Sequence, residues 1–77
     1  MTTLYVYGTA GCHLCEQAEA ILEPLLDARF TVEVVDISES DELMQRYGVR
    51  IPVFKRADSG REIGWPFDAG VVHKFLR

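Results

Sequence analysis

A layered α/β fold with a small mixed sheet is what this 77-residue chain predicts, on three observations. Short strand-like runs alternate with segments of helical period. Glycine or serine punctuation separates them, with no linker, repeat or low-complexity stretch. The first two strand-like runs are joined through a helix, which makes them parallel. The expected order is β-α-β-α-β-β-α, and the length fits one domain over residues 1–77.

"TLYVY" (3–7) has apolar or aromatic residues on both faces, as a strand in the middle of a sheet requires. After the turn "GTAG", residues 13–28 carry Leu14, Ala18, Ile21, Leu22, Leu25 and Leu26 along one side. Glu16, Glu19, Glu23 and Asp27 lie along the other, and Pro24 is expected to kink the helix or end its regular part early. "TVEVVD" (31–36) alternates and reads as the second strand. A short helix follows in "SESDELMQRYG", with Ser38 or Ser40 as cap and Gly48 as stop. "IPVFKR", "ADSG" and "REIG" read as two strands around a turn. The tail "FDAGVVHKFLR" is a helix capped by Asp68, with Phe67 placed to staple onto Val72.

The composition, 48% apolar and 26% charged, is that of a globular domain. No apolar run approaches the roughly 20 residues of a membrane span, and the first residues carry no basic, cleavable leader. A cytoplasmic location is therefore expected, with no membrane partner. The net charge of −4 argues against binding nucleic acid through a general positive field. Charge is unevenly spread: nine acidic residues and one basic up to Glu42, three acidic and seven basic from Leu43 onward. An acidic helix face and a basic edge would account for this.

Cys12 and Cys15 carry the chemistry. They fall where the first strand gives way to a helix, and a helix N-terminus favours an anion. Such a position lowers a thiol's pKa from about 8.5 toward roughly 3.5 to 7.5, and the thiolate is the attacking species. Helical spacing divides the roles. Cys15 shares the buried stripe with Ala18, Leu22 and Leu25, whereas Cys12 lines up with Glu16, Glu19 and Glu23 on the wet one. Cys12 is the expected nucleophile and Cys15 the resolving thiol. Gly11, immediately before Cys12, is expected with His13 to tune the thiol's pKa. A protonated His13 would favour its thiolate, and Glu16 one turn on would oppose it by less than about 1 kcal/mol. No metal ligand is assigned, because a structural zinc needs four ligands and the remaining histidine, His73, is distant in the last helix.

"VYGTAGCHLC", "YGVRIPVF" and "IGWPFDAGVVHKFL" together resemble the three landmarks of glutaredoxin-like proteins of the thioredoxin-fold superfamily, and the resemblance covers the whole chain. It implies a four-stranded mixed sheet flanked by helices, a single glutaredoxin-like domain, and a cis bond between Ile51 and Pro52 that offers main-chain hydrogen bonds to a substrate. It also implies a substrate site at Ile51, Pro52 and Asp68, with Asp68 receiving an amino group; Arg50 would replace the family's missing cation near a carboxylate, and Trp65 would offer an apolar platform for a protein substrate.

The chain departs from the family pattern in several places. The usual pair encloses Pro-Tyr, not His13-Leu14, and Thr9 and Ala10 stand where a lysine is usual. Trp65 occupies a position where a glycine is usual, and of an acidic pair Asp68 alone remains. The expected activity is thiol-disulfide exchange on a protein disulfide or a glutathione mixed disulfide. No resident cofactor is expected, glutathione being a possible co-substrate. Glutathione or a thioredoxin-type reductase would be the electron donor, and the chain would act as a monomer. Two other classes remain open: an iron-sulfur or other metal-carrying glutaredoxin-like module, and a redox-sensing interaction domain without turnover.

Overall fold

The computed structural model describes residues 1–77. It contains strands β1 (Thr2–Gly8), β2 (Phe30–Asp36), β3 (Val53–Arg56) and β4 (Glu62–Gly64), and helices α1 (His13–Leu22), α2 (Asp41–Tyr47) and α3 (Ala69–Leu76). The sheet order is β2-β1-β3-β4. β1 runs parallel to β2 and antiparallel to β3, and β3 pairs antiparallel with β4. β1 is thus an inner strand, as its two-faced apolar pattern requires.

Alternation along β1 divides the core. Leu4 and Val6 pack with Ala18, Leu22, Phe54, Val72 and Phe75 beneath α1 and α3. On the opposite face Tyr7 packs with Ile37, Tyr47 and Val53 beneath α2. Each cluster is small, which is what a chain of this length can hold.

The local signals operate as chemistry predicts, with some corrections. α1 stops at Leu22 and passes into a 3-10 turn at Glu23–Leu25, so the expected helix to residue 28 is shortened. Pro24 has no N–H to continue the ladder. Leu14, placed on the apolar side by spacing, is 42% exposed, outside the buried stripe of Cys15, Ala18 and Leu22. Ser40, not Ser38, caps α2, its Oγ accepting from Leu43 N at 3.3 Å. Gly48 closes α2 in the right-handed region rather than through a left-handed cap. Asp68 caps α3, its Oδ1 accepting from Val71 N at 2.9 Å. Phe67 and Val72 are both buried in the same cluster, as a staple requires. Gly60, at φ +73°, turns the β3–β4 hairpin.

Two polar anchors hold the β3–β4 half. Arg56 donates to Asp58 at 3.0 and 2.8 Å, to the Phe75 carbonyl at 2.7 Å and to the Arg77 carbonyl at 2.9 Å. It therefore answers the open carbonyls at the end of α3 with a cation, and its guanidinium also lies over the Phe30 ring. The second anchor is Tyr47, whose hydroxyl donates to Glu62 while its ring stacks on Tyr7 at 4.5 Å. Glu62 also faces Arg50 at 3.5 Å.

Arg56→Ala should lower the unfolding free energy by about 2 to 3 kcal/mol, the scale of hydrogen bonds to a charged group. Arg56→Lys should restore only part of it. Urea denaturation measures both, and a loss below about 0.5 kcal/mol, typical of an ordinary surface change, would remove the anchor's assigned role. Burial first, and then the Glu62 carboxylate, push the Tyr47 hydroxyl up to about 12 from the usual 10.0. The neutral hydroxyl's contribution to stability is accordingly intact below pH 10 and lost as pH climbs through about 12. Tyrosinate absorbance should show a step near pH 12 that Tyr47→Phe abolishes and Glu62→Gln moves to lower pH.

Candidate active site

The site is built where β1 ends. Gly8 closes the strand, and Thr9, Ala10 and Gly11 carry the chain into α1. Gly11 has φ +75°, a left-handed conformation that glycine adopts without steric cost, so the turn is available to this residue type. Cys12 is the N-cap of α1. Its Sγ accepts from the Cys15 backbone N–H at 3.1 Å, in the manner of a capping oxygen.

Cys12 and Cys15 are joined as a disulfide with Cα atoms 5.2 Å apart. The pair is asymmetric in access. Cys15 is buried at 8% exposure, while Cys12 is of intermediate burial. Cys15 rests on Gly8, where a Cβ would lie 2.8 Å from its Sγ. Glycine at the strand end is therefore what lets the helix come this close. The His13 side chain is 92% exposed, with Nδ1 3.8 Å from Glu16 Oε2. Its nearest charged neighbour is that carboxylate.

The remaining sequence-derived residues gather at the start of β3. Tyr7 pairs with Val53, which places Pro52 alongside Gly8 and hence next to the Cys15 shelf. The Ile51-Pro52 peptide is cis. Main-chain bonds hold this loop on both sides. Arg50 N and Ile51 N donate to the Tyr47 carbonyl at 2.8 and 3.1 Å, and Trp65 N donates to the Pro52 carbonyl at 3.0 Å. Trp65 is half-buried and meets Phe67 edge-on at 5.2 Å. The guanidinium of Arg50 is directed to Glu62 and lies over the Tyr47 ring. Asp68 is exposed, with one carboxylate oxygen engaged in capping α3.

Three features are not readable from the sequence. One is a second cis peptide at Trp65-Pro66. Another is the Tyr47–Glu62–Arg50 cluster, which brings together residues far apart in the chain. The third is a cleft on the other flank of the cysteines, lined by α1 and β2. Its only sequence signal is the alternation of β2 without a partner for every apolar residue. No three His, Cys, Asp or Glu side chains converge on one point as a metal site would need.

Residues 3–77 match the family model described as Glutaredoxin-like domain (DUF836). The chain belongs to this family. Among solved structures, the glutaredoxin-like domain is similar to XcR50 from X. campestris, at 37% identity and TM-score 0.82 over 95% of this chain and 93% of that one. It is also similar to Ne2328 from Nitrosomonas europaea, at 33% identity and TM-score 0.81 over 99% and 92%. A mutant thioredoxin from Halobacterium salinarum shares the fold at 24% identity and TM-score 0.72, over 97% and 71%. The glutaredoxin-like domain thus has a thioredoxin-type fold with its Cys-x-x-Cys pair at disulfide distance, and no helix long and apolar enough to cross a membrane.

The Gly8 shelf yields a prediction for this domain. Gly8→Ala would crowd Cys15 Sγ most when the disulfide fixes its position, and least when the free thiol can rotate. Overpacking of about 1 to 3 kcal/mol corresponds to a rise in reduction potential of about 20 to 60 mV. Redox titration against a glutathione buffer reads this directly; an unchanged or lower potential would show that the shelf does not constrain the sulfur.

Proposed function

We propose that this glutaredoxin-like domain is a thiol-disulfide oxidoreductase with Cys12 as nucleophile and Cys15 as resolving thiol. One observation carries the reading: the more accessible sulfur is the N-cap of α1, while its partner is buried on Gly8. The helix N-terminus stabilises negative charge on Cys12, and an accessible thiolate is what thiol exchange needs.

The steps are those of ordinary exchange. In the reduced protein the Cys12 thiolate attacks one sulfur of a substrate disulfide, forming a mixed disulfide and releasing the other sulfur as thiolate. Cys15, deprotonated, then attacks Cys12 Sγ. The second substrate sulfur leaves, and the Cys12–Cys15 disulfide forms, the state the structure represents. An external thiol reductant returns two electrons to the pair. The loop at Ile51-Pro52 is fastened to Tyr47 and Trp65 by the Ile51 amide and the Pro52 carbonyl, which leaves the Ile51 carbonyl as the main-chain group that can accept from a substrate chain docked beside the sulfurs. Glutathione and a thioredoxin-type reductase both remain chemically able to supply the electrons. Arg50 and Asp68 fit a glutathione role less simply than a bare cation and carboxylate would, since Glu62 and the α3 cap already engage them.

Cys15→Ser should accumulate mixed disulfides on Cys12, and Cys12→Ser should accumulate none, as read by mass spectrometry after exposure to a peptide disulfide. Iodoacetamide at about pH 7 should alkylate Cys12 of the reduced protein at least about tenfold faster than Cys15, a ratio on the scale of thiol activation at helix N-termini. Equal labelling, or trapping on Cys15, would reverse the assignment. Parallel reduction assays with glutathione and its reductase, and with a thioredoxin reductase, identify the donor.

A further inference from the structure

On the flank of the disulfide away from β3, the sheet is not fully covered. Register places Val34 beside Val6 and Val32 beside Leu4, all on the face that α1 packs against. Yet Val6 is 3% exposed and Val34 63%, because α1 shields the inner strand and leaves β2 bare. The result is a cleft of about 330 Å³ with Val6 and Val34 among its apolar lining and Cys12 and Cys15 in its wall.

The charged residues lining this cleft are Glu16, Glu19 and Asp36, with no lysine or arginine among them. Two hydrogen bonds from Ser38 hold the Asp36 carboxyl below its usual range, so it stays ionised. β2 is also an edge strand, so the N–H and C=O groups along its outer side are open to an extended chain. The cleft is therefore apolar inside, acidic at its rim, bordered by free strand edge and contiguous with the reacting sulfurs.

We infer that this cleft docks an extended segment of the substrate protein that carries lysine or arginine beside an aliphatic residue. The inference rests on the oxidoreductase reading and names its substrate class. The aliphatic side chain covers Val34, and the cation meets Glu16 and Glu19. The volume is near the lower end for a binding pocket and suits one or two side chains, not a folded domain. Glutathione has more carboxylates than ammonium groups and is repelled on this flank. A cationic segment is drawn in before contact, with the strong salt dependence that such steering carries.

The test uses two peptide disulfides of equal length, one flanked by Lys and Leu and the other by Glu and Leu. At low salt the intact protein should reduce the lysine peptide with a kcat/KM about three- to tenfold higher, the scale of a few exposed charge pairs. Glu16→Gln/Glu19→Gln should bring the ratio close to one, as should raised salt. A ratio of one in the intact protein, or one unchanged in the double variant, overturns the docking role while leaving the redox assignment standing. A cysteine-free Lys-Leu-Lys peptide titrated into isotope-labelled protein gives a readout independent of turnover. Amide shifts should cluster at Glu16, Glu19, Val34 and Asp36. If they do and neither disulfide is reduced, the redox reading fails and the cleft stands; shifts confined to the Ile51–Trp65 side of the site, or none, overturn the cleft.

Discussion

The contact between Cys15 and Gly8 is the constraint on which the site depends. A helix can bring a buried sulfur onto the end of a strand only if that strand ends without a side chain, and Gly8 meets the condition. Once Cys15 is seated there, Cys12 is placed one turn earlier, at the N-cap, where backbone amides lack intrahelical partners. The difference in exposure between the two sulfurs follows from this seating and from the roughly 3.6-residue period of α1. Val53 pairs with the residue before Gly8, so the loop at Pro52 arrives at the same level of the sheet. One close approach thus sets the height of the helix and which sulfur is sheltered, and the β1–β3 register brings the proline loop to the same level.

The rest of the molecule keeps that loop still. Tyr47 does this from the α2 side, its carbonyl accepting from the Arg50 and Ile51 amides while its side chain reaches Glu62 on β4. Trp65 does it from the β4 side through the bond from its amide to the Pro52 carbonyl, its ring set against Phe67 in the core. Arg56 secures the end of α3 to β3 and so fixes the layer behind both. In a chain with two small apolar clusters, these charged and main-chain bonds do much of the work that a larger core does elsewhere.

Most of the architecture is legible in the sequence because its signals are local. Strand alternation, the Asp68 and Ser40 caps, Pro24 and the two-faced apolar pattern of β1 each act within a few residues. The difference in exposure between Cys12 and Cys15 is legible for the same reason, since one is the cap of α1, the other lies in its first turn, and the helical period separates them. Spacing misplaces Leu14 because period identifies a face but not how far along the helix that face is covered. The Tyr47–Glu62–Arg50 cluster and the four-way bonding of Arg56 join residues separated along the chain, and no local pattern announces them. The cleft beside β2 escapes for a different reason: it depends on how far α1 reaches across the sheet, a tertiary quantity that alternation in β2 does not encode.

The uneven charge of the sequence acquires its meaning in three dimensions. Most of the acidic residues up to Glu42 belong to the β1-α1-β2 half, and that half forms the cleft flank of the disulfide. The later, basic half forms β3, β4 and α3, where Arg50 and Arg56 are already engaged by Glu62 and Asp58. The field that an approaching substrate meets at the cleft is therefore the acidic one. Glu16 has two opposed effects there. One turn from Cys12, it disfavours the thiolate by less than about 1 kcal/mol across a screened surface. It also attracts a cation, and a lysine seated against it would cancel much of its field at the sulfur. With Cys12 as the attacking thiol, as proposed, a substrate with a positive charge near its disulfide would improve that thiol as a nucleophile, whereas an anionic substrate would leave the penalty in place.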